Sequence, residues 1–449
     1  MASVNKTATV DRPLTHQGGA GELHVTPLEN LRRSVMNCLL WEDTFYESGV
    51  SIEDRINQLA AQVPYKDLAL LAIETRNVGK LRHVPLVLIC ALLKRQDWKQ
   101  VPGALSPRTV IKEVIQRPDE IAELVALYWR KGKCPLSSQL RAGLGDAFRK
   151  FNEYSLAKYD QDHKTVKLRD VMRMVHPKPQ DKDQEALWGR LLRGELKTPD
   201  TWEVALSSGA DKRETWIRLI SEGKLGYLAL LRNLRNMQQA GVPDDLVKQA
   251  ILARANGADK VLPWRFVAAV RAAPAYAEAL DQALLATMQE LPQLTGSTVV
   301  LVDVSGSMEH ALSGKSDLRR MDAAAALSGI VQSTGGVRVF SFSDRLVEVP
   351  YRRGLAMTES VPNSQLNNGT NLAGAVRDVQ NQVPKHDRLI VITDEQVDSE
   401  EIPDPIAEHV YVINVASYQN GIDIGGKSVR ISGFSENVIR WIHAYEQSK

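Results

Sequence analysis

The sequence predicts two architectures in succession: a helical-repeat array (an α-solenoid), then a doubly wound, Rossmann-like α/β domain. Three observations carry this. From about Leu28 to Leu291, apolar residues recur at helical spacing with almost no strand alternation. Segments such as Leu68–Ile73 and Val84–Leu93 are separated by Gly, Pro and Asn, in units of about 30–45 residues, the size of a degenerate helix-pair repeat. After about Leu294, short β-rich runs alternate with helical segments, the pattern of a mostly parallel sheet. At 449 residues the chain exceeds one ordinary core. The expected division is a flexible segment 1–25, a helical part 26–293 and an α/β part 294–449.

Composition narrows the class. An apolar fraction of 43% and a charged fraction of 24% are those of a soluble globular protein. No run of about 18 apolar residues is present, so no membrane-spanning helix is expected. The first 20 residues are polar and lack an apolar signal core, which argues against secretion. Cys38, Cys90 and Cys134 lie far apart, as buried thiols in a reducing cytoplasm do, and form neither a disulfide framework nor a zinc site.

The net charge of +2 hides an asymmetry: residues 295–449 carry a net −5 and the rest a net +7. Residues 130–178 alone hold 12 basic against 5 acidic side chains, so the whole excess lies in one stretch. So local a concentration is the footprint of a polyanion partner.

Within the helical part, Leu225–Gly241 is the clearest helix. Leu230, Leu234 and Met237 form its core stripe, Arg232, Arg235 and Gln239 a second one, and Gly241 with Pro243 a stop. In the α/β part, Thr298–Val304, Val337–Phe342, Leu389–Thr393 and His409–Ala416 read as strands. Asp322–Ser333, Asn371–Val383 and Glu436–Glu446 read as helices.

The first strand ends in Asp303-Val304-Ser305-Gly306-Ser307, an oxygen-rich loop where open α/β sheets place ligands. Hard divalent cations such as Mg²⁺ take oxygen ligands of this kind. Thr370, in a turn before a helix, and Asp394, ending another strand, can reach the same crevice. No His or Cys nucleophile with a positioned base accompanies them, so no catalytic residue is assigned and no enzyme is expected. Asp394 and Glu395 are neighbours on an extended strand end and point to opposite sides, so they do not act as a pair. The set resembles the metal-ion-dependent adhesion site of von Willebrand factor A domains. That resemblance implies Ser305, Ser307 and Thr370 as direct metal ligands, with Asp303 and Asp394 acting mainly through water.

The basic stretch offers Lys133, Arg141, Arg149, Lys150, Lys158, Lys164, Lys167, Arg169, Arg173, His176 and Lys178 as RNA-binding candidates. Tyr128, Trp129, Phe148, Phe151, Tyr154 and Tyr159 are interleaved, although the helical spacing of Phe148, Phe151 and Tyr154 marks some as core. A basic groove with a few stackable aromatics suits RNA backbone and unpaired bases. No helix-turn-helix or finger signature points to sequence-specific DNA.

Gly79-Lys80-Leu81-Arg82-His83-Val84-Pro85, Leu140–Phe148, Leu156–Tyr159, Leu168–Val171 and His176-Pro177-Lys178-Pro179 resemble the Ro autoantigen (TROVE domain) family. Gly223–Tyr227, Leu231–Asn236 and Val261–Phe266 extend the likeness, which runs from about residue 25 through the metal-site domain. The resemblance, to a bacterial or phage-type Ro protein, implies a monomeric ring of HEAT-like repeats closed by a von Willebrand factor A domain. It implies small noncoding Y-like RNA on an outer basic surface, ends of misfolded RNA in a central hole, and a 3′ exoribonuclease tethered through RNA. Arg141 and Lys158 match the family's RNA-binding positions, whereas Leu168 stands where animal members carry a histidine that contributes to Y RNA binding. The competing class is a metal-dependent protein-interaction adaptor that works through the acidic C-terminal domain.

Overall fold

The computed structural model describes residues 26–36, 49–160, 165–261, 263–312, 318–366, 369–395, 402–416, 424, 428–433 and 437–447. They contain 20 α-helices and six strands. The chain packs as two compact units, one of residues 30–35 and 53–225, the other chiefly of residues 226–449.

The first unit is helical throughout its described residues. Helix Tyr65–Asn77 packs on Pro107–Val114, which packs on Ser138–Phe148; a second file runs Val84–Leu93, Pro118–Tyr128, Leu168–Val175. Packing of helices on partners two or three elements along lets successive helix pairs bury one another's apolar faces in a continuous core. Helix Val84–Leu93 is apolar along its whole length and buried on nearly every side. Between the files, Arg76 reaches Glu120 at 2.6 Å and donates to the carbonyls of Val114 and Leu81, tying three helices together in the interior.

The contact between Pro107–Val114 and Ser138–Phe148 depends on Gly143. A Cβ there would stand 2.7 Å from Ile111 Cβ, closer than any van der Waals contact. Replacing Gly143 by alanine is therefore expected to force the two helices apart at a cost of about 1–3 kcal/mol. Urea denaturation of the variant measures it, and an unchanged midpoint would show that the contact is slack.

The second unit begins with helices Tyr227–Gln239, Asp244–Ala253, Trp264–Ala272 and Ala277–Met288 and continues into the sheet. The strands are β1 (Thr298–Asp303), β2 (Val337–Phe342), β3 (Leu346–Val349), β4 (Arg388–Thr393), β5 (His409–Asn414) and β6 (Ser428–Ser432). Their order is β3-β2-β1-β4-β5-β6, parallel except for β3. Every residue of β1 and β4 is buried, as expected of central strands covered on both faces. One face carries Val299, Leu301, Leu389, Val391, Val410 and Val412 against Leu372, Val376 and Val379 of helix Leu372–Gln382. On β1, β2 and β4 packs helix Arg320–Gln332, and Tyr411 of β5 meets Trp441 of helix Asn437–Gln447 edge to face.

The four expected strands and three expected helices are present, with ends shifted by one or two residues: β5 stops at Asn414, and residues 415–416 turn away. The short antiparallel β3 and the edge strand β6 were not anticipated. The helices preceding the sheet join its unit through helix Arg320–Gln332 and the turn at 354–356. Asp281 of Ala277–Met288 accepts from the Leu355 amide at 2.7 Å, and Arg271 of Trp264–Ala272 pairs with Asp322. The packing boundary therefore falls at 225/226, whereas the change from helices to strands falls between Met288 and Thr298. Among the described residues no helix is long and apolar enough to cross a membrane.

Candidate metal centre and candidate nucleic-acid interface

β1 and β4 are hydrogen-bonded neighbours with Val302 opposite Ile392, so Asp303 and Asp394 emerge side by side at the carboxyl edge of the sheet. Asp303 is fully buried; its carboxylate accepts from the Ser305 amide at 2.9 Å and from Thr393 Oγ1 at 2.7 Å. Ser305 Oγ lies 3.1 Å from Ser307 Oγ, which donates to Asp394 Oδ1, also at 3.1 Å. Burial, and then the neighbouring Asp394 carboxylate, raise the Asp303 carboxyl above its ordinary range.

The structure thus joins four of the five expected metal-site residues by direct hydrogen bonds. Thr370 reaches the same edge by another route. Asn371, which caps helix Leu372–Gln382 by accepting from the Gly374 amide, donates its own amide to Ser343 O at 2.9 Å, just beyond β2. Ser343 Oγ in turn donates to Gly369 O at 3.0 Å, so Thr370 is held between two anchored neighbours and half exposed. Asn367 and Asn368 of the same turn lie outside the described residues.

Adjacent ligands on an octahedral ion bound at about 2.0–2.1 Å stand about 3 Å apart. The Ser305–Ser307 and Ser307–Asp394 oxygen pairs have that spacing. The donors are hydroxyls and carboxylates only, which fits a small hard cation.

One nearby group escaped the sequence reading. Arg320, the first residue of helix Arg320–Gln332, is 1% exposed and sends Nη1 to Asp394 Oδ2 at 2.6 Å. A Gly-Ser loop before a helix carries no signal for it. Glu395 adopts a left-handed φ of 61° and accepts from Asn414 Nδ2 at 3.1 Å, so the adjacent carboxylates do serve different partners.

In the helical unit the candidate RNA-binding residues separate into two groups. Lys150 Nζ caps the end of helix Pro107–Val114 by donating to Ile115 O at 2.9 Å and to Lys112 O, and burial lowers its pKa. Arg149 donates Nε and Nη2 to Lys178 O and Nη1 to Asp146; Arg169 pairs with Asp160, and Arg173 with Asp170 and Leu192 O. The charge of this group is largely committed inside the fold. Lys133, Arg141 and Lys178 are exposed and Lys158 is half-buried, and among the described residues none of the four pairs with a carboxylate.

Aromatic rings accompany two of these cations: Lys133 Nζ lies 5.6 Å from the Trp129 ring centre and Lys158 Nζ 5.8 Å from that of Tyr159. Phe148 and Phe151 are core, whereas Tyr154 is 42% exposed. His176 is exposed in a left-handed turn (φ 48°) that ends helix Leu168–Val175, next to Lys178; Lys167 occupies the position just before the same helix. Lys164 lies outside the described residues. Arg232 and Arg235 are exposed on helix Tyr227–Gln239, Arg235 donating to Ala272 O, while Leu230, Leu234 and Met237 are buried as their stripe implies.

A family model described as the TROVE domain matches residues 188–272. That range includes the Gly223–Tyr227 and Leu231–Asn236 motifs. Fifty residues are 44% identical to Telomerase protein component 1 of Mus musculus and 42% identical to that of Rattus norvegicus. They are 11% of this chain and span only 2% of either relative. The crystal structure of the Deinococcus radiodurans Ro (Rsr) protein superposes with a TM-score of 0.62 at 16% identity, over 94% of this chain and 100% of that one. At that identity the fold is what is shared. The resemblance carried by the motifs is thereby borne out: a TROVE domain model matches residues 188–272, and the fold of a Ro protein is shared over nearly the whole chain.

Proposed function

We propose that this protein is a non-catalytic RNA-binding scaffold of a ribonucleoprotein particle in the cytoplasm. It binds small noncoding, Y-like RNA through the basic surface of its helical part and takes ends of misfolded or structured RNA into a central hole, in the service of RNA quality control. In this reading residues 26–293 are a ring of HEAT-like repeats, residues 294–449 a von Willebrand factor A-like domain that closes it, and a 3′ exoribonuclease is recruited through the RNA. The observation that carries it is the set of cations, Lys133, Arg141, Lys158 and Lys178, that have no carboxylate partner among the described residues. Such groups are available to phosphates, and Trp129 and Tyr159 supply stacking faces beside two of them.

Replacing Lys133, Arg141 and Lys178 together by alanine is expected to weaken binding to a structured small RNA. The slope of log K against log salt should fall by about 2, since each contact to a single strand contributes roughly 0.7. Binding and slope equal to wild type would sink the assignment.

A second reading is favoured by the hydroxyl and carboxylate spacing at the sheet edge. Ser305, Ser307 and Thr370 would hold a divalent ion, Mg²⁺ by the chemistry of its donors, with Asp303 and Asp394 acting through water. The ion would supply an open position for a partner's carboxylate. Ribonuclease treatment of a purified complex releases the partner under the first reading; chelation releases it under the second.

A further inference from the structure

A carboxylate that serves a divalent ion usually has an oxygen free to face it, yet the protein engages both oxygens of Asp394. Ser307 Oγ donates to Oδ1 at 3.1 Å and Arg320 Nη1 to Oδ2 at 2.6 Å. The same guanidinium nitrogen lies 3.4 Å from the backbone carbonyl oxygen of Ser307, so one arginine contacts two residues of the site. The side chains of Arg320 and Asp394 are 2% and 0% exposed. Helix Arg320–Gln332 fixes the arginine in place: the Arg320 amide donates to His310 O at 3.0 Å, and Asp322 caps the turn by accepting from the Arg319 amide. A buried full positive charge thus already stands against the site's second carboxylate.

We propose that Arg320 is the resident cation of the sheet-edge site. It neutralises Asp394 when no metal is bound, so that metal loading is dispensable to the fold, and it competes with the ion for the same carboxylate, so that loading is weak and reversible. Arg320 is a positioning residue in this scheme, not a ligand. The proposal rests on the reading of Ser305, Ser307, Thr370 and the two aspartates as a divalent-metal site.

The test uses the full chain, with thermal unfolding in millimolar Mg²⁺ or in chelator and Mn²⁺ binding by paramagnetic resonance. Wild type should unfold at nearly the same temperature in both media. Arg320→Met should lose roughly 5–10 °C in chelator, because a buried carboxylate is left without its partner, and recover at least half of that in Mg²⁺. It should also bind Mn²⁺ about tenfold more tightly, a nearby positive charge having been removed. Equal destabilisation of Arg320→Met with and without Mg²⁺, with Mn²⁺ affinity unchanged from wild type, would overturn the proposal and leave the metal site standing. If neither protein binds Mn²⁺, the metal reading falls and takes the proposal with it. Should Arg320→Met fail to fold, Arg320→Met with Asp394→Asn decides. Renewed folding in chelator with no response to Mg²⁺ supports the neutralising role; a double variant that remains unfolded overturns it.

Discussion

Glu120→Ala is expected to destabilise the helical unit by about 4–5 kcal/mol, measured by urea denaturation. Glu120 is fully buried and serves two structures at once. Its Oε1 pairs with Arg76 at 2.6 Å, and its Oε2 accepts from the amides of Gln116 and Arg117 at 2.9 and 3.1 Å, closing the first turn of helix Pro118–Tyr128. Burial raises the carboxyl's pKa against the pull of Arg76, and burial lowers that of Arg76 itself. A pair so expensive to desolvate contributes modestly when intact, but losing one member leaves the other charged and dry. Truncation therefore strands Arg76 and uncaps a helix in one step. Glu120→Gln retains acceptors for the two amides, so it should lose less than the alanine variant by about 1 kcal/mol, the value of a cap. Equal losses in both variants would mean that the cap carries nothing.

Much of this molecule was legible in the sequence for a simple reason: burial imposes periodicity. β1, β4 and β5 are covered on both faces, so they appear as apolar runs, and at least five residues of each are assigned from the sequence. β3 and β6 are short edge strands; β3 has one buried residue in four, so no run or clean alternation announces it. The carboxyl-edge cluster was legible because its members are polar residues ending apolar strands, a conjunction that a core alone does not produce. Arg320 was not, because nothing local distinguishes a helix-starting arginine that turns inward from one that faces water. Lys150 illustrates the same limit from the other side. A run of basic residues records charge without direction, and only the packing of Ser138–Phe148 on Pro107–Val114 reveals that this ammonium caps a neighbouring helix. The division of the chain was obscured for a related reason. Helices 227–288 share the periodicity of those before them, yet they pack in one unit with residues 294–449, Trp264–Ala272 lying on helix Arg320–Gln332.

Arg388→Met is expected to cost the C-terminal unit about 3–5 kcal/mol. Arg388 opens β4 and is 1% exposed. Its Nε donates to Glu446 Oε1 at 2.7 Å, its Nη1 to Thr298 Oγ1 at 2.7 Å and its Nη2 to Thr295 O at 3.1 Å, with a further bond to Glu446 Oε2. Tyr411 OH donates to the same Glu446 at 2.8 Å, and burial, reinforced by Glu446, raises that phenol's pKa far above its ordinary value. One guanidinium thereby joins β1, β4 and helix Asn437–Gln447 at the amino edge of the sheet, the end opposite the candidate metal site. Methionine fills the volume but leaves the Glu446 charge without its guanidinium, the Tyr411 phenol offering a hydrogen bond and no charge. Adding Glu446→Leu removes the stranded charge, so the double variant should recover at least 2 kcal/mol relative to Arg388→Met alone, about the coupling expected of buried neighbours. A double variant as unstable as the sum of its singles would show that Arg388 acts through Thr298 and Thr295. The helix would then be held by Trp441 and Tyr445, whose rings meet Tyr411 of β5 edge to face at 6.2 and 6.4 Å.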